Sequence, residues 1–246
     1  MPGGNISGCQ GCNGQCCFAY VVPVCGYDVY AIATRLLLSI EQFVAVLVEN
    51  EPTPTGFHLD LEKETYTLAL DKQAPQGPGR PCTFLVTLPD GHRRCGIYAH
   101  RPLVCQTYPT KLHHGAVTVR DDIACPRDAW SISGMDLPAW RASLLRMDME
   151  WAIYAIVVEQ WNAVVSTSLS SAPRNPEDYF AYLMTVYRAL EAVRPTMATG
   201  NVHDATDLWA SAPTSQGADP PPWRAMLAHA QAVVAETLPT PTSEPA

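Results

Sequence analysis

Four cysteines fall within nine residues near the start of the chain, in the run Cys9-Gln-Gly-Cys12-Asn-Gly-Gln-Cys16-Cys17. Residues 1–17 carry Gly3, Gly4, Gly8, Gly11 and Gly14, a density that argues against a regular helix or strand. Thiols this crowded have no evident use in a plain loop. They suit a metal centre, which needs several soft donors within about 2.3 Å of the metal. A glycine-rich loop can also turn its amide N–H groups toward the sulfurs and spread the thiolate charge. Neighbouring side chains diverge, so Cys16 and Cys17 are awkward ligands for one ion, and one of them is expected to serve a different site.

A second set, Cys82, Cys95, Cys105 and Cys125, is spread along the middle of the chain, with each member at the edge of an expected element. Cys25 stands alone before the first expected helix and reads as structural. A chain of 246 residues can bury a core without disulfide staples. Met1-Pro2-Gly3-Gly4 lacks the basic flank and apolar run of a secretory leader, so a reducing cytoplasm is the expected compartment. Nine cysteines there favour metal binding or catalysis over disulfides. No apolar run approaches a membrane span, and a net charge of −8 argues against nucleic-acid binding. Residues 80–127 are the exception in charge. They hold seven basic residues (Arg80, Arg93, Arg94, Arg101, Lys111, Arg120, Arg127) against three acidic ones, a net +4, and four of the seven histidines. Such a block can offset thiolate charge or attract an anionic substrate.

The periodicities predict an α+β fold, with the cysteine-rich loop and small hairpins packed on a helix and a helical C-terminal half. Asp28 reads as the N-cap of a helix to about Asn50, with Ile32, Leu36, Ile40, Phe43, Val44 and Leu47 at helical spacing. Residues 55–70 alternate in polarity around Glu62-Lys63 and read as a hairpin. A second hairpin joins Thr83–Leu88 to Arg93–Tyr98 through Pro89-Asp90-Gly91-His92, and a strand pair is expected within 110–120 around Gly115. Helices are expected over Leu137–Val165, Asn175–Val193 and Pro221–Thr237, the second with Pro176 in its first turn. Residues 211–222 read as a linker. The expected organisation is a metal-binding domain over 1–130, a helical region packed on it over 131–237, and a disordered tail over 238–246.

The ordered motif is more specific than the counts. Cys-x2-Cys-x3-Cys-Cys is followed by Pro81-Cys82-Thr83-Phe84-Leu85. Then come Cys95-Gly-Ile97-Tyr98-Ala-His-Arg101-Pro102-Leu-Val-Cys105-Gln-Thr-Tyr108-Pro109 and Cys125. This resembles the YkgJ-type cysteine-cluster family, described as zinc- or iron-chelating, over roughly residues 9–125. The family's helix after the double cysteine opens at an Asp, here Asp28. Gln106 and Tyr108 stand where the family usually has Arg and Phe, and Cys25 lies outside the pattern. The motif is also similar to that of flagellin lysine N-methylases, understood to carry an iron–sulfur cluster. That likeness implies one activity, methyl transfer from S-adenosylmethionine to a protein lysine, although no glycine-rich nucleotide loop follows a strand.

Both zinc and iron–sulfur centres accept four thiolates. Paired Cys-x2-Cys knuckles would favour zinc, and only Cys9 and Cys12 form one. The irregular spacing of the rest favours a [4Fe-4S] cluster held by four among Cys9, Cys12, Cys16, Cys17, Cys82, Cys95, Cys105 and Cys125, with zinc as the alternative. Expected partners are the metal or cluster and a redox partner or protein substrate. A thioredoxin-like role would need a βαβ context, which is missing. Cys95 with His100, or Cys105 with His113, is a weaker reading as a nucleophile pair, with His113 and His114 expected on opposite faces of a hairpin. Asp121-Asp122 reads as a solvated turn in preference to a pair of catalytic acids, and Arg101 as a donor to a cluster sulfur, to a substrate carboxylate or to a salt bridge. Trp130, Trp140, Trp151, Trp161 and Trp209 read as helix-packing residues.

Overall fold

A computed structural model describes residues 13–60, 64–75, 79–125, 132–167, 174–198 and 222–237. Along the chain run α1 (Gln15–Ala19), α2 (Gly26–Leu36), β1 (Val44–Val48), β2 (Tyr66–Leu70), β3 (Leu85–Thr87), β4 (Arg93–Cys95) and α3 (Leu103–Thr107). They are followed by β5 (Thr110–His113), β6 (Ala116–Val119), α4 (Leu137–Thr167), α5 (Pro176–Ala198) and α6 (Pro222–Thr237). The strands form three two-stranded sheets, β1–β2, β3–β4 and β5–β6. The fold is α+β with a helical C-terminal half. No helix among the described residues is long and apolar enough to cross a membrane.

The chain divides into two compact units, one of Met1–Val24, Ala31–Ala45 and Ala69–Met147, the other of Cys25–Tyr30, Val46–Leu68 and Asp148–Ala246. In the first, Ile32, Phe43, Leu70, Leu85, Leu103 and Leu144 are buried, and the Phe43 and Phe84 rings lie 5.9 Å apart. Each such side chain contributes about 1.5–3 kcal/mol by leaving water. In the second, an aromatic core gathers on α4 and α5. The Tyr179 ring stacks on Phe57 at 3.9 Å and meets Trp161 edge-on at 5.1 Å. The Tyr179 hydroxyl donates to Tyr154 at 3.1 Å, and the Tyr182 hydroxyl donates to the Val157 carbonyl at 3.0 Å. Trp140 and Trp161 are buried, as expected of packing residues. Trp130 and Trp209 lie outside the described residues, as do Cys9, Cys12, the Glu62-Lys63 turn, most of the expected linker and the expected tail.

The predicted helix to Asn50 is corrected. Helix α2 stops at Leu36, because Leu37 turns left-handed at φ 55° and the Leu38 N–H reaches back to the Ala33 carbonyl at 3.2 Å. This is the geometry of a Schellman stop. Ser39 and Gln42 then cap each other across a 3₁₀ turn, Ile40–Gln42. The following Val-Ala-Val-Leu-Val forms β1, since three stiff β-branched side chains fit a pleated strand better than a helix. The hairpin expected over 55–70 is corrected with it. Residues 57 and 66 form only an isolated bridge, and β2 pairs with β1. Asp28 is not the N-cap. It lies in the first turn of α2 and accepts hydrogen bonds from the Cys25 N–H at 3.2 Å and the Cys25 thiol at 3.4 Å.

The other two hairpins form where expected. Leu85 pairs with Cys95, and Thr87 with Arg93, around a turn with Gly91 at φ 82°. In the third, Thr110 pairs with Val119 and His113 with Ala116. His114 and Gly115 take φ of 48° and 77°, as a two-residue type I′ turn requires. His113 and His114 therefore do not face apart as expected: their rings meet edge-on at 4.2 Å.

Candidate metal centre

The double-cysteine segment is built around Gly14. Its φ of 70° opens α1, and a Cβ there would meet Leu85 Cδ1 at 2.7 Å, so only glycine lets the loop turn this close to β3. The Cys17 N–H closes the turn on the Gly14 carbonyl at 3.0 Å. Two backbone contacts carry this segment to the later cysteines. The Cys82 N–H donates to the Cys17 carbonyl at 2.9 Å, and the Arg93 N–H donates to Asn13 Oδ1 at 3.0 Å. Lys72 fastens the same place, its Nζ donating to the carbonyls of Cys17 at 2.9 Å and Tyr20 at 2.5 Å.

The result is one cavity of about 300 Å³, lined by Cys16, Cys17, Cys82, Cys95 and Cys105. Its sulfur-bearing residues come from α1, the turn before β3, the end of β4 and α3. Cys125 is buried beyond Tyr108, and its thiol donates to the Tyr108 hydroxyl at 3.8 Å. Tyr108 itself lines the cavity and accepts from the Ala124 N–H at 2.7 Å. Cys25 belongs to the other unit and is fully buried against Asp28. Six of the eight expected ligands are thus described. Five line one cavity, the sixth is one hydroxyl away, and Cys9 and Cys12 lie outside the described residues.

The sulfurs differ in protonation. The Cys17 thiol donates to the Cys16 sulfur, which holds Cys16 down at about 7 with help from Arg101. The same bond, together with burial, pushes Cys17 far up. Burial raises Cys82 and Cys95. Four guanidinium-bearing residues, Arg93, Arg94, Arg101 and Arg120, line the cavity with a single carboxylate, Asp122. Arg120 is committed to Asp122 through two hydrogen bonds of 2.9 and 2.8 Å. Val21, Val22, Pro23, Leu70, Phe84, Ile97 and Val104 give the wall an apolar part, and Tyr20, Tyr98 and Tyr108 line it as well.

The donor set fits a thiolate-bound metal group. A single tetrahedral zinc draws four donors to about 2.3 Å of one point. Among the described residues no three Cys, His, Asp or Glu side chains are gathered closely enough for one ion. Sequence reasoning missed Lys72, Tyr20 and Tyr108. The only signal for Tyr108 was its place where the resembled family usually has Phe, since the added hydroxyl is what meets Cys125 and Ala124.

Cysteines around a shared cavity, with cationic walls, define a class: cysteine-rich metal-chelating domains. Residues 8–126, just under half of the chain, match the model of the CxxCxxCC family, described as a "Putative zinc- or iron-chelating domain". No curated protein and no solved structure matches the chain.

Proposed function

We propose that the cavity holds a [4Fe-4S] cluster in a redox, sensing or chelating role, with residues 1–130 as the metal-binding domain. The ligands are four among Cys9, Cys12, Cys16, Cys17, Cys82, Cys95, Cys105 and Cys125. The observation that carries this reading is the common cavity: five cysteines from four separate segments line one space of about 300 Å³, wider than a single-ion site. A liquid water occupies about 30 Å³, so the space takes a polyatomic group. The cluster supplies one-electron chemistry. The chain supplies thiolates, N–H donors from the Gly14 turn, and arginines that balance negative charge.

A second reading, a cluster-dependent enzyme resembling a protein lysine N-methylase that uses S-adenosylmethionine, draws support from one feature. The apolar wall of Val21, Val22, Pro23 and Leu70 is what an organic ligand site uses, and a closed structural centre has no need of it.

Anaerobic purification with metal and sulfide analysis and a visible spectrum tests the first reading. Iron and sulfide at about four each per chain are expected. Zinc alone, with no absorption above the protein band, overturns it.

A further inference from the structure

Arg101 is a fixed cation of this cavity. It stands in extended backbone at φ −58°, ψ 148°, as the residue before a proline must. Pro102 then opens α3, the helix that carries Cys105. The Gln106 side chain donates to the Arg101 carbonyl, which holds that backbone in place. The side chain is held as well. Nε donates to the Tyr98 carbonyl at 3.1 Å, and the guanidinium lies 3.8 Å over the Tyr98 ring, a cation–π stack. No carboxylate pairs with it among the described residues, whereas Arg120 is taken by Asp122 and Arg93 sits over Phe18 at 5.1 Å.

Arg101 lines the cavity together with Cys16 and Cys95. We propose that Arg101 is the positioning counter-charge of the metal centre, a clamped guanidinium that sets the centre's reduction potential without being a ligand. The assignment rests on the cluster reading above. Its physics is simple. A one-electron reduction adds one negative charge to the centre, and a guanidinium is a fixed positive charge. A neighbouring fixed positive charge in a partly water-excluded cavity therefore stabilises the reduced form and raises the potential. Tyr98, which also lines the cavity, fixes where that charge stands.

The test is potentiometry of the full-length protein, purified or reconstituted anaerobically, with iron content measured alongside. Arg101→Gln is expected to keep its iron and show a more negative midpoint potential, Arg101→Lys to recover most of the shift, and Tyr98→Ala to lie between wild type and Arg101→Gln. If Arg101→Gln loses iron, Arg101→Lys is expected to retain it, since the charge and not the shape is required. A cluster-bearing Arg101→Gln with the wild-type potential overturns the assignment, as does a Lys variant that shifts or loses iron as fully as Gln. A wild-type protein without a cluster spectrum overturns the cluster reading itself, and the assignment with it.

Discussion

At the scale of single residues, the cysteines sort by where their sulfurs stand. Cys95 lies at the end of β4 on the cavity wall, and its loss removes a donor from the shared space. Cys95→Ser is therefore expected to bind at least a few-fold less metal per chain, with a lower melting temperature because metal binding and folding are linked. Cys25→Ser is expected to keep full metal content. Elemental analysis of the two side by side checks the pair, and equal loss in both would contradict the division made here. Gly26 shows another constraint at this scale. A Cβ added there would lie 2.2 Å from Cε2 of the buried Tyr187 ring. Gly26→Ala is expected to cost about 1–3 kcal/mol through overpacking, read by chemical denaturation.

At the scale of elements, end signals decided more than periodicity did. The apolar residues from Ile32 to Leu47 keep helical spacing, yet the helix ends at Leu36, because a Schellman stop and a Ser39–Gln42 box interrupt it. Spacing alone is blind to a left-handed residue such as Leu37. Leu37 is 90% exposed and sits at a φ that disfavours side chains, so Leu37→Gly is expected to stabilise the protein by about 1 kcal/mol. A thermal or denaturant melt checks the sign. At α5 the signals were legible. Asn175 Oδ1 accepts from the Asp178 N–H at 2.9 Å, the Asp178 carboxylate accepts from the Asn175 N–H at 3.1 Å, and Pro176 takes the first helical position. Asn175→Ala is expected to cost about 1 kcal/mol. The Asp-Gly and His-Gly turns were legible for the same reason, since turn chemistry is local. The partner of β2 was not, because strand pairing is decided by packing far along the chain. The site was legible as residue types, through the order of its cysteines. Lys72 and Tyr20 were not, because their hydrogen-bonding partners are distant in sequence.

At the scale of the whole molecule, buried groups that resist ionisation set the alkaline limit. Burial and the nearby Asp28 push the Cys25 thiol well above its ordinary 9.0. Burial does the same to Tyr179 and Tyr187 above their ordinary 10.0. A raised folded-state value means the stabilisation is complete below the unfolded value and is lost as pH climbs toward the folded one. Stability is thus expected to hold up to about pH 9 and then to fall by up to about 1.4 kcal/mol per pH unit for each such group. Denaturant midpoints measured from pH 7 to 11 check this, and Cys25→Ser is expected to flatten the decline between pH 9 and 10. A midpoint that rises over that range would contradict the burial of these groups.

The loop–strand contact from Cys82 to Cys17 and the bond from Arg93 to Asn13 are single hydrogen bonds, each worth about 1 kcal/mol net. They can register distant stretches of polypeptide but hold them only weakly. A thiolate-bound metal group bridging the same stretches would be the stronger fastening, so that stripping it is expected to loosen the Cys16–Cys17 turn from the turn that carries Cys82.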